Sequence, residues 1–184
     1  YSFQNDTLVV SAISLTGYRG NVYTYFLKND ITGDVTTADD ASYGNGFYTY
    51  FRNNRITGNS SIVSNGTSIV LDADEAGTGN IYQGNLSYTR TGGSIIAGAG
   101  AFNEAGGNLT LNSSANISLG KIKFTGSTNA AIEQQGTQPV LISELSLDKT
   151  GTGSLTLNDP VSISTSATFT SGLINSSTGK ELIF

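Results

Sequence analysis

The sequence predicts an all-β protein, folded as a right-handed parallel β-helix with three faces per coil and about eight coils. Three observations predict this fold: a composition suited to strands and turns, apolar residues in short alternating pairs, and a return of these pairs about every 23 residues. Pairs this short cannot bury themselves in isolation, whereas parallel stacking of coils joins them into one core. We assign residues 1–184 to a single solenoid domain.

The composition favours strands joined by tight turns. The chain has 23 Gly, 2 Pro and no Cys, His, Met or Trp, and Ser, Thr and Asn fill the positions between single aliphatic residues. β-Branched residues suit a pleated strand, while Gly and Asn suit turns that need a positive φ. The lack of cysteine and histidine excludes disulfides, thiolate metal sites and the commonest general base.

Charge and hydropathy narrow the range of partners and locations. Lys and Arg number 9 against 14 Asp and Glu, a net charge of −5 at pH 7, so a nucleic-acid partner has no electrostatic basis. No stretch of 18 apolar residues occurs, and we therefore predict no membrane insertion. A low-charge β chain rich in Ser, Thr, Asn and Gly is more often extracellular than cytosolic. We expect a secreted protein, either extracellular or at the cell surface.

Residues 82–184 carry the regular repeat. Three 23-residue segments align from Ala105 onward, and each contains three alternating apolar pairs, such as Leu109/Leu111, Ile117/Leu119 and Ile122/Phe124. Small and polar residues separate the pairs. The period is two within a strand and about 23 between coils, which predicts three strands per coil.

Residues 1–81 form an aromatic-rich part with a longer repeat. The run NVYTYFLKNDITG, from Asn21 to Gly33, returns 25 residues later as GFYTYFRNNRITG, from Gly46 to Gly58, with 8 of 13 positions identical. A coil of this length places Phe26 over Phe51 on the inside. A β-sandwich is the alternative for this part, because Asn45-Gly46 and Asn65-Gly66 are typical of hairpin turns.

The same repeat supplies the candidate ligand-binding or interface residues. If the phenylalanines point inward, four tyrosines point outward near two arginines: Tyr23, Tyr25, Tyr48, Tyr50, Arg52 and Arg55. A tyrosine ring has a flat apolar face and a polar tip, which suits a sugar ring or a protein partner. Packing of the rings beneath a loop is the structural alternative.

Carboxylates are the candidate metal ligands and catalytic groups. Asp72, Asp74 and Glu75 offer hard oxygen ligands for calcium, without the fuller ligand series of an EF-hand. With Asp39 and Asp40, they are also the groups that a lyase or hydrolase would need to gather in one cleft. Because all five lie in segments typical of solvated turns, we predict no enzyme and no cofactor, with calcium as the alternative.

The last residues are the candidate self-assembly end. Leu182, Ile183 and Phe184 form an apolar strand with no polar cap, whereas a finished solenoid shields its last coil. Either the natural chain continues or another copy stacks on this end. The second option builds a filament by head-to-tail contact.

The C-terminal part also resembles a known family. The run LSLDKTGTGSLTL from Leu145 to Leu157, followed by Val161-Ser162-Ile163 and by ATFTSGL from Ala167 to Leu173, resembles the β-helical repeats of large secreted surface proteins of Bacteroidota. The resemblance covers roughly residues 140–184, and its motifs specify turns and core positions. It implies an extracellular solenoid, often part of a long adhesin-like or structural chain, and it supplies no catalytic residues.

We therefore expect an extracellular structural or adhesive protein. Its most specific form is a subunit that self-assembles head to tail into a surface fibre, with other copies of itself or surface polysaccharide as partners. A carbohydrate-binding module that uses the tyrosines is one alternative. A fragment of a polysaccharide lyase or glycoside hydrolase is the other.

Overall fold

A computed structural model describes residues 2–17, 22–39, 47–64, 69–71, 79–90, 95–97 and 102–184. Within these ranges every regular element is a β-strand, so the all-β class is confirmed. The described residues include no helix of the length and hydropathy needed to cross a membrane.

Each coil contributes strand residues to three faces, which we name A, B and C in the order in which the chain visits them. Face A comprises β1 (Ser2–Gln4), β3 (Val22–Leu27), β5 (Phe47–Arg52), β8 (Ile69–Leu71), β11 (Ile95–Ala97), β20 (Leu182–Ile183) and the first parts of β14 (Ile117–Gly126), β16 (Val140–Lys149) and β18 (Val161–Ser171). Face B comprises β6 (Arg55–Ile56), β9 (Ile81–Tyr82), β12 (Phe102–Ala105), the second parts of β14, β16 and β18, and the first parts of β2 (Thr7–Gly17) and β4 (Asp30–Asp39). Face C comprises the second parts of β2 and β4 with β7 (Ser60–Ser64), β10 (Leu86–Arg90), β13 (Leu109–Ser113), β15 (Ala130–Gln134), β17 (Ser154–Leu157) and β19 (Leu173–Asn175).

Successive coils pair in parallel, and their inward residues form continuous columns. One column on face B contains Leu8, Ile31, Ile56, Tyr82, Ala105, Phe124, Leu147 and Phe169. Its members are 23, 25, 26, 23, 19, 23 and 22 residues apart, so these levels of the stack enclose seven turns, slightly fewer than the predicted coil number. The parallel β-helix is confirmed.

The parallel pairing extends to the aromatic-rich part, where the β-sandwich alternative is wrong. Strands β3 and β5 pair in parallel from Val22 with Phe47 to Leu27 with Arg52, the register that the duplicated sequence predicts. Antiparallel hairpins are the basis of a sandwich, and every strand pairing among the described residues is parallel.

Stacked phenylalanines fill the core of this N-terminal part. The ring of Phe26 lies 5.0 Å from that of Phe3 and 4.7 Å from that of Phe51, measured between centroids, with interplanar angles of 12° and 2°. Tyr82 then meets Phe51 edge-on at 6.5 Å. Each aromatic pair contributes about 0.5–1.5 kcal/mol beyond the burial of its area, so the column favours one register between coils.

An asparagine ladder lies inside the corner between faces A and B. It consists of Asn29, Asn54, Asn80 and Asn103, none more than 3 % exposed. The Oδ1 of each accepts the backbone N–H of the ladder position one level earlier, at 3.0 Å in every case. The Nδ2 of Asn54 donates to Phe26 O at 2.7 Å and to Asn80 Oδ1 at 3.0 Å. The ladder thus satisfies backbone groups that a corner would otherwise leave buried without partners.

At this corner the chain turns through a residue with a positive φ, which comes directly before the ladder position. Asn5, Lys28 and Asn53 have φ values of 55°, 59° and 55° and come directly before Asp6, Asn29 and Asn54. One residue in the left-handed region turns the chain from face A to face B. Beyond Asn103 the ladder position is occupied by Ile122 and Leu145, so the later coils fill the corner with aliphatic side chains.

We predict that Asn54→Ala lowers the free energy of unfolding by about 2–4 kcal/mol, because it removes the side-chain partner of the buried groups Asn29 N and Phe26 O. The outward residue Asn112 provides the control, and Asn112→Ala is expected to change this free energy by at most about 0.5 kcal/mol. Urea unfolding followed by circular dichroism measures both. Equal effects of the two substitutions would contradict a stabilising ladder.

Candidate functional site

The N-terminal end face of the solenoid is apolar. Its first coil presents one or two partly buried side chains from each face: Phe3 from face A, Leu8 from face B, and Ile13 and Leu15 from face C. They are the first members of the inward columns, and within the described chain no strand lies before them. Their outer surfaces therefore mark where a preceding coil would stack.

The C-terminal end face is also apolar. Leu182, Ala167 and Ile174 are the last partly buried apolar residues on faces A, B and C. Phe169, the last member of the face B column, is 51 % exposed because no described strand covers it. Leu8 and Phe169 are therefore the two ends of one inward column.

The predicted self-assembly residues belong to this second end face in different ways. Leu182 packs against the core, whereas Ile183 is exposed and Phe184 is 79 % exposed. Phe169 and Leu173 add exposed apolar area that the sequence analysis missed. The β16–β18 pairing, which contains register shifts, places Phe169 opposite Leu147.

The tyrosines form a stack rather than a flat row of rings. Tyr25 and Tyr50 lie 4.9 Å apart with an interplanar angle of 10°, so each covers one face of the other. Tyr25 is 37 % exposed, and its strand neighbour on the other side is the small residue Ser2. Tyr23 pairs with Tyr48 in register, but both side chains lie outside the described part of the structure.

The two predicted arginines are separated. Arg52 lines a pocket of about 120 Å³ at the outer corner between faces A and B, with Gln4, Asn5, Leu27, Lys28 and Asn53 as the other lining residues. Arg55 lies on the outside of face B, where it forms an ion pair with Asp30 at 3.3 Å. The pocket joins amide and cationic groups next to the tyrosine stack, and Arg55 belongs to the neighbouring wall.

The predicted metal and catalytic carboxylates fall outside the description. Residues 40, 72, 74 and 75, which are Asp40, Asp72, Asp74 and Glu75, are not among the described residues, and only the backbone of Asp39 is described, at the end of β4. The described residues contain no group of three or more His, Cys, Asp or Glu side chains able to hold a metal ion. Calcium binding at these carboxylates stays a prediction.

A second ladder lies on the outer corner between faces B and C. Its members follow glycines, as Gly33-Asp34, Gly58-Asn59, Gly84-Asn85 and Gly107-Asn108. Asp34 accepts the N–H of Asn59 at 2.6 Å, and Asn59 accepts that of Asn85 at 3.0 Å. A Cβ on Gly58 would lie 2.3 Å from the Gly33 carbonyl carbon and oxygen, so glycine permits the close approach of coils. The asparagines here have a structural role.

Lys149 is a buried cation on face B. Its side chain is 1 % exposed. Its Nζ donates to three backbone carbonyls, Gly106 O at 2.8 Å, Thr125 O at 2.7 Å and Thr128 O at 3.0 Å. Burial lowers the pKa of the Lys149 amine, but three acceptors match the three donors of an ammonium group. Lys149 therefore fastens coils together and is not exposed to a ligand.

Ion pairs cross between coils on the outer wall of face B. Lys121 lies 3.0 Å from Glu144, and Lys123 lies 3.0 Å from Asp148. Hydrogen bonds from Lys123 and Ser171, with the charge of Lys123, lower the pKa of the Asp148 carboxyl. Within each pair the two opposite charges neutralise each other, so these four side chains add no net charge to the outer wall of face B.

No protein-family model, curated protein or solved structure matches the chain. The evidence for the candidate sites is therefore their geometry. The sites are the two apolar end faces and the tyrosine corner, by which we mean the stack of Tyr25 and Tyr50 with the pocket that Arg52 lines.

We predict that Lys149→Met lowers the free energy of unfolding by about 2–4 kcal/mol, because the methionine removes the ammonium donor of three part-buried hydrogen bonds to backbone carbonyls. Lys121→Met removes a partly exposed cation of the same length, and its effect is expected to be at most about 1 kcal/mol. Guanidinium unfolding of the two variants and the wild type compares them. A larger loss for Lys121→Met would contradict the role given to Lys149.

Proposed function

We propose that the chain is a rigid structural and adhesive rod, secreted to the cell surface, whose copies join head to tail into a fibre. The single observation that carries the proposal is that both end faces are apolar and share one column. Leu8 at one end and Phe169 at the other are the two ends of the face B column, and Phe3 and Leu182 add apolar side chains on face A.

The joint between copies would repeat the interface that coils already form within the chain. Phe169 would lie over Leu8 of the next copy, continuing the face B column by one level. Full burial of an aliphatic or aromatic side chain of this size contributes about 1.5–3 kcal/mol. Parallel strand edges at both ends would add backbone hydrogen bonds, since an unpaired edge is a template for a further strand.

The side walls favour association along the solenoid axis. Cross-strand pairs such as Lys121 with Glu144 neutralise charge on the wall of face B. Among the described residues, few apolar side chains on the walls are exposed, such as Val9 and Leu141. Single apolar residues on a surface are ordinary and do not build an interface. Heterologous contacts between unlike ends produce open filaments. This geometry supports a fibre, and the proposal assigns the chain no catalytic residue.

The secreted location has two supports. The chain is low in charge and rich in Ser, Thr, Asn and Gly, and roughly residues 140–184 resemble secreted surface repeats. The inner ladder and the stacked aromatic rings add stiffness to such a rod, because each hydrogen bond or ring contact joins successive coils.

Polysaccharide binding at the tyrosine corner is a second candidate function. The observation that favours it is the position of Tyr25, partly exposed and next to the pocket that contains Gln4, Lys28 and Arg52. One aromatic face with amide and cationic donors suits a sugar with hydroxyl or carboxylate groups. An adhesive rod would use this site along its side.

We predict that purified protein associates as its concentration rises, and that Phe169→Glu abolishes this association, because a carboxylate would be buried in the joint without a partner. Leu141→Glu changes an exposed apolar residue on the side wall and serves as the control. Sedimentation velocity measures the size distribution. A monomeric wild type at every concentration, or equal loss in both variants, would contradict head-to-tail assembly.

Mixing two blocked variants tests the polarity of the joint. Phe169→Glu keeps its N-terminal end face, and Leu8→Glu keeps its C-terminal end face, so an equimolar mixture is expected to form a dimer and nothing larger. Circular dichroism first verifies that each variant is folded. Dimers of either variant alone would show instead that like ends meet.

We predict that Tyr25→Ala weakens retention in gels that contain an acidic polysaccharide, by roughly tenfold in affinity, because a partly exposed aromatic ring is lost. Phe102→Ala removes an aromatic ring from the outside of face B, where Lys121 lies over it, and is the matched control. Neutral glucan and polygalacturonate gels are run in parallel. Unchanged mobility of the wild type in both gels would exclude this candidate function.

A further inference from the structure

The side-chain hydrogen bonds of the asparagine ladder, which we call the inner ladder, all have the same direction along the solenoid. Each ladder oxygen accepts an N–H from the level before it, beginning with Asp6 N to Asn29 Oδ1 at 3.0 Å. In return, the residue after each ladder position donates its N–H backward, as Asp30 N does to Asp6 O at 2.9 Å and Arg55 N does to Asn29 O at 2.8 Å. Two hydrogen bonds thus join each ladder position to the next level.

Asp6 occupies the ladder position of the first coil. It follows Asn5, whose φ of 55° matches that of Lys28 before Asn29 and Asn53 before Asn54. The residue after it, Thr7, pairs with Asp30 in register. Asp6 is exposed, and its carboxylate supplies an acceptor where asparagine has Oδ1. The described chain has no earlier level to donate to it.

Ala167 occupies the same position at the other end. The pairings Asn103 with Ile122, Ile122 with Leu145, and Leu145 with Ala167 connect it to the ladder. In this position N–H and C=O point toward the following level, as they do at Asn54 and Asn80. Two described strands follow Ala167. β19 pairs with β17, and β20 pairs with β18 only at Val161 and Ser162. Ala167 therefore presents its N–H and its C=O at the end face.

We infer that Asp6 sets the register of the joint between copies: its carboxylate accepts the N–H of Ala167 in the preceding copy, and the N–H of Thr7 donates to the Ala167 carbonyl. The occupant of the end face is a second copy of this chain, because the joint continues the coil-to-coil interface that the chain already forms. The inference rests on the proposed head-to-tail assembly and names the residue that selects its alignment.

The same carboxylate disfavours other alignments. Three faces allow three rotational settings of one end on the other, and in two of them Asp6 would meet the corner between faces B and C or the corner between faces C and A. A carboxylate buried against an apolar column without a donor is strongly unfavourable. Only the setting that continues the face B column, with Leu8 over Phe169, places Asp6 over Ala167. That apolar column and the polar pair therefore select the same alignment.

Substitutions at Asp6 separate the acceptor from its charge. Asp6→Ala removes both, and we expect it to weaken association about tenfold, whereas Asp6→Asn keeps the acceptor and is expected to retain or strengthen association. Asp30→Ala removes a carboxylate from the outer wall of the same corner and is expected to leave association unchanged. Sedimentation velocity over a concentration series gives each association constant, and circular dichroism verifies folding of the exposed-site variants.

The outcomes distinguish this inference from the function on which it rests. If the wild type associates and Asp6→Ala associates equally well, the inference is wrong and head-to-tail assembly stands. If Asp6→Asn and Asp6→Ala change association in the same direction by the same factor, charge alone acts and the acceptor role is wrong. If the wild type stays monomeric while folded, the proposed assembly fails and the inference fails with it.

Discussion

The structure depends on the stacking of one coil on the next. No coil has enough apolar area to form a core alone, and burial is complete only when parallel pairing aligns each inward residue with its counterpart in the neighbouring coils. Residues at the middle of the stack, such as Ile56 and Leu145, are therefore almost fully buried. The hydrogen bonds, ring stacks and glycine contacts all act at this interface, and each fixes its register.

The corners of the coil show two solutions to one physical problem. Turning the chain exposes backbone donors and acceptors toward the interior, where they need partners. The early coils supply the amides of Asn54 and Asn80, which bond to the backbone of adjoining levels. The later coils place Ile122 and Leu145 at this position and use the Lys149 ammonium group to bind carbonyls elsewhere. The asparagine ladder ends at Asn103, because the next residue at this position is Ile122.

Coil stacking also determines what is special about the ends. An interior coil has a neighbour on both sides, whereas the first and last described coils have a neighbour on one side, so the same columns that stabilise the rod leave Leu8 and Phe169 partly exposed. Assembly through such ends needs no new type of contact. The tyrosine corner differs because it lies on the side, where a ligand would leave the coil stack unchanged.

The sequence by itself determined the strand class, the stacking of coils and the inward position of residues such as Phe26 and Phe51, because alternation reports which side of a strand a residue faces. Its period also predicted the pairing of the duplicated segments. Only the tertiary structure decided that Asn54 bonds across levels, that Tyr25 and Tyr50 cover one another, and that Lys149 is buried. These contacts depend on the φ of corner residues and on distances between coils. Neither quantity is expressed in a pattern of apolar and polar residues.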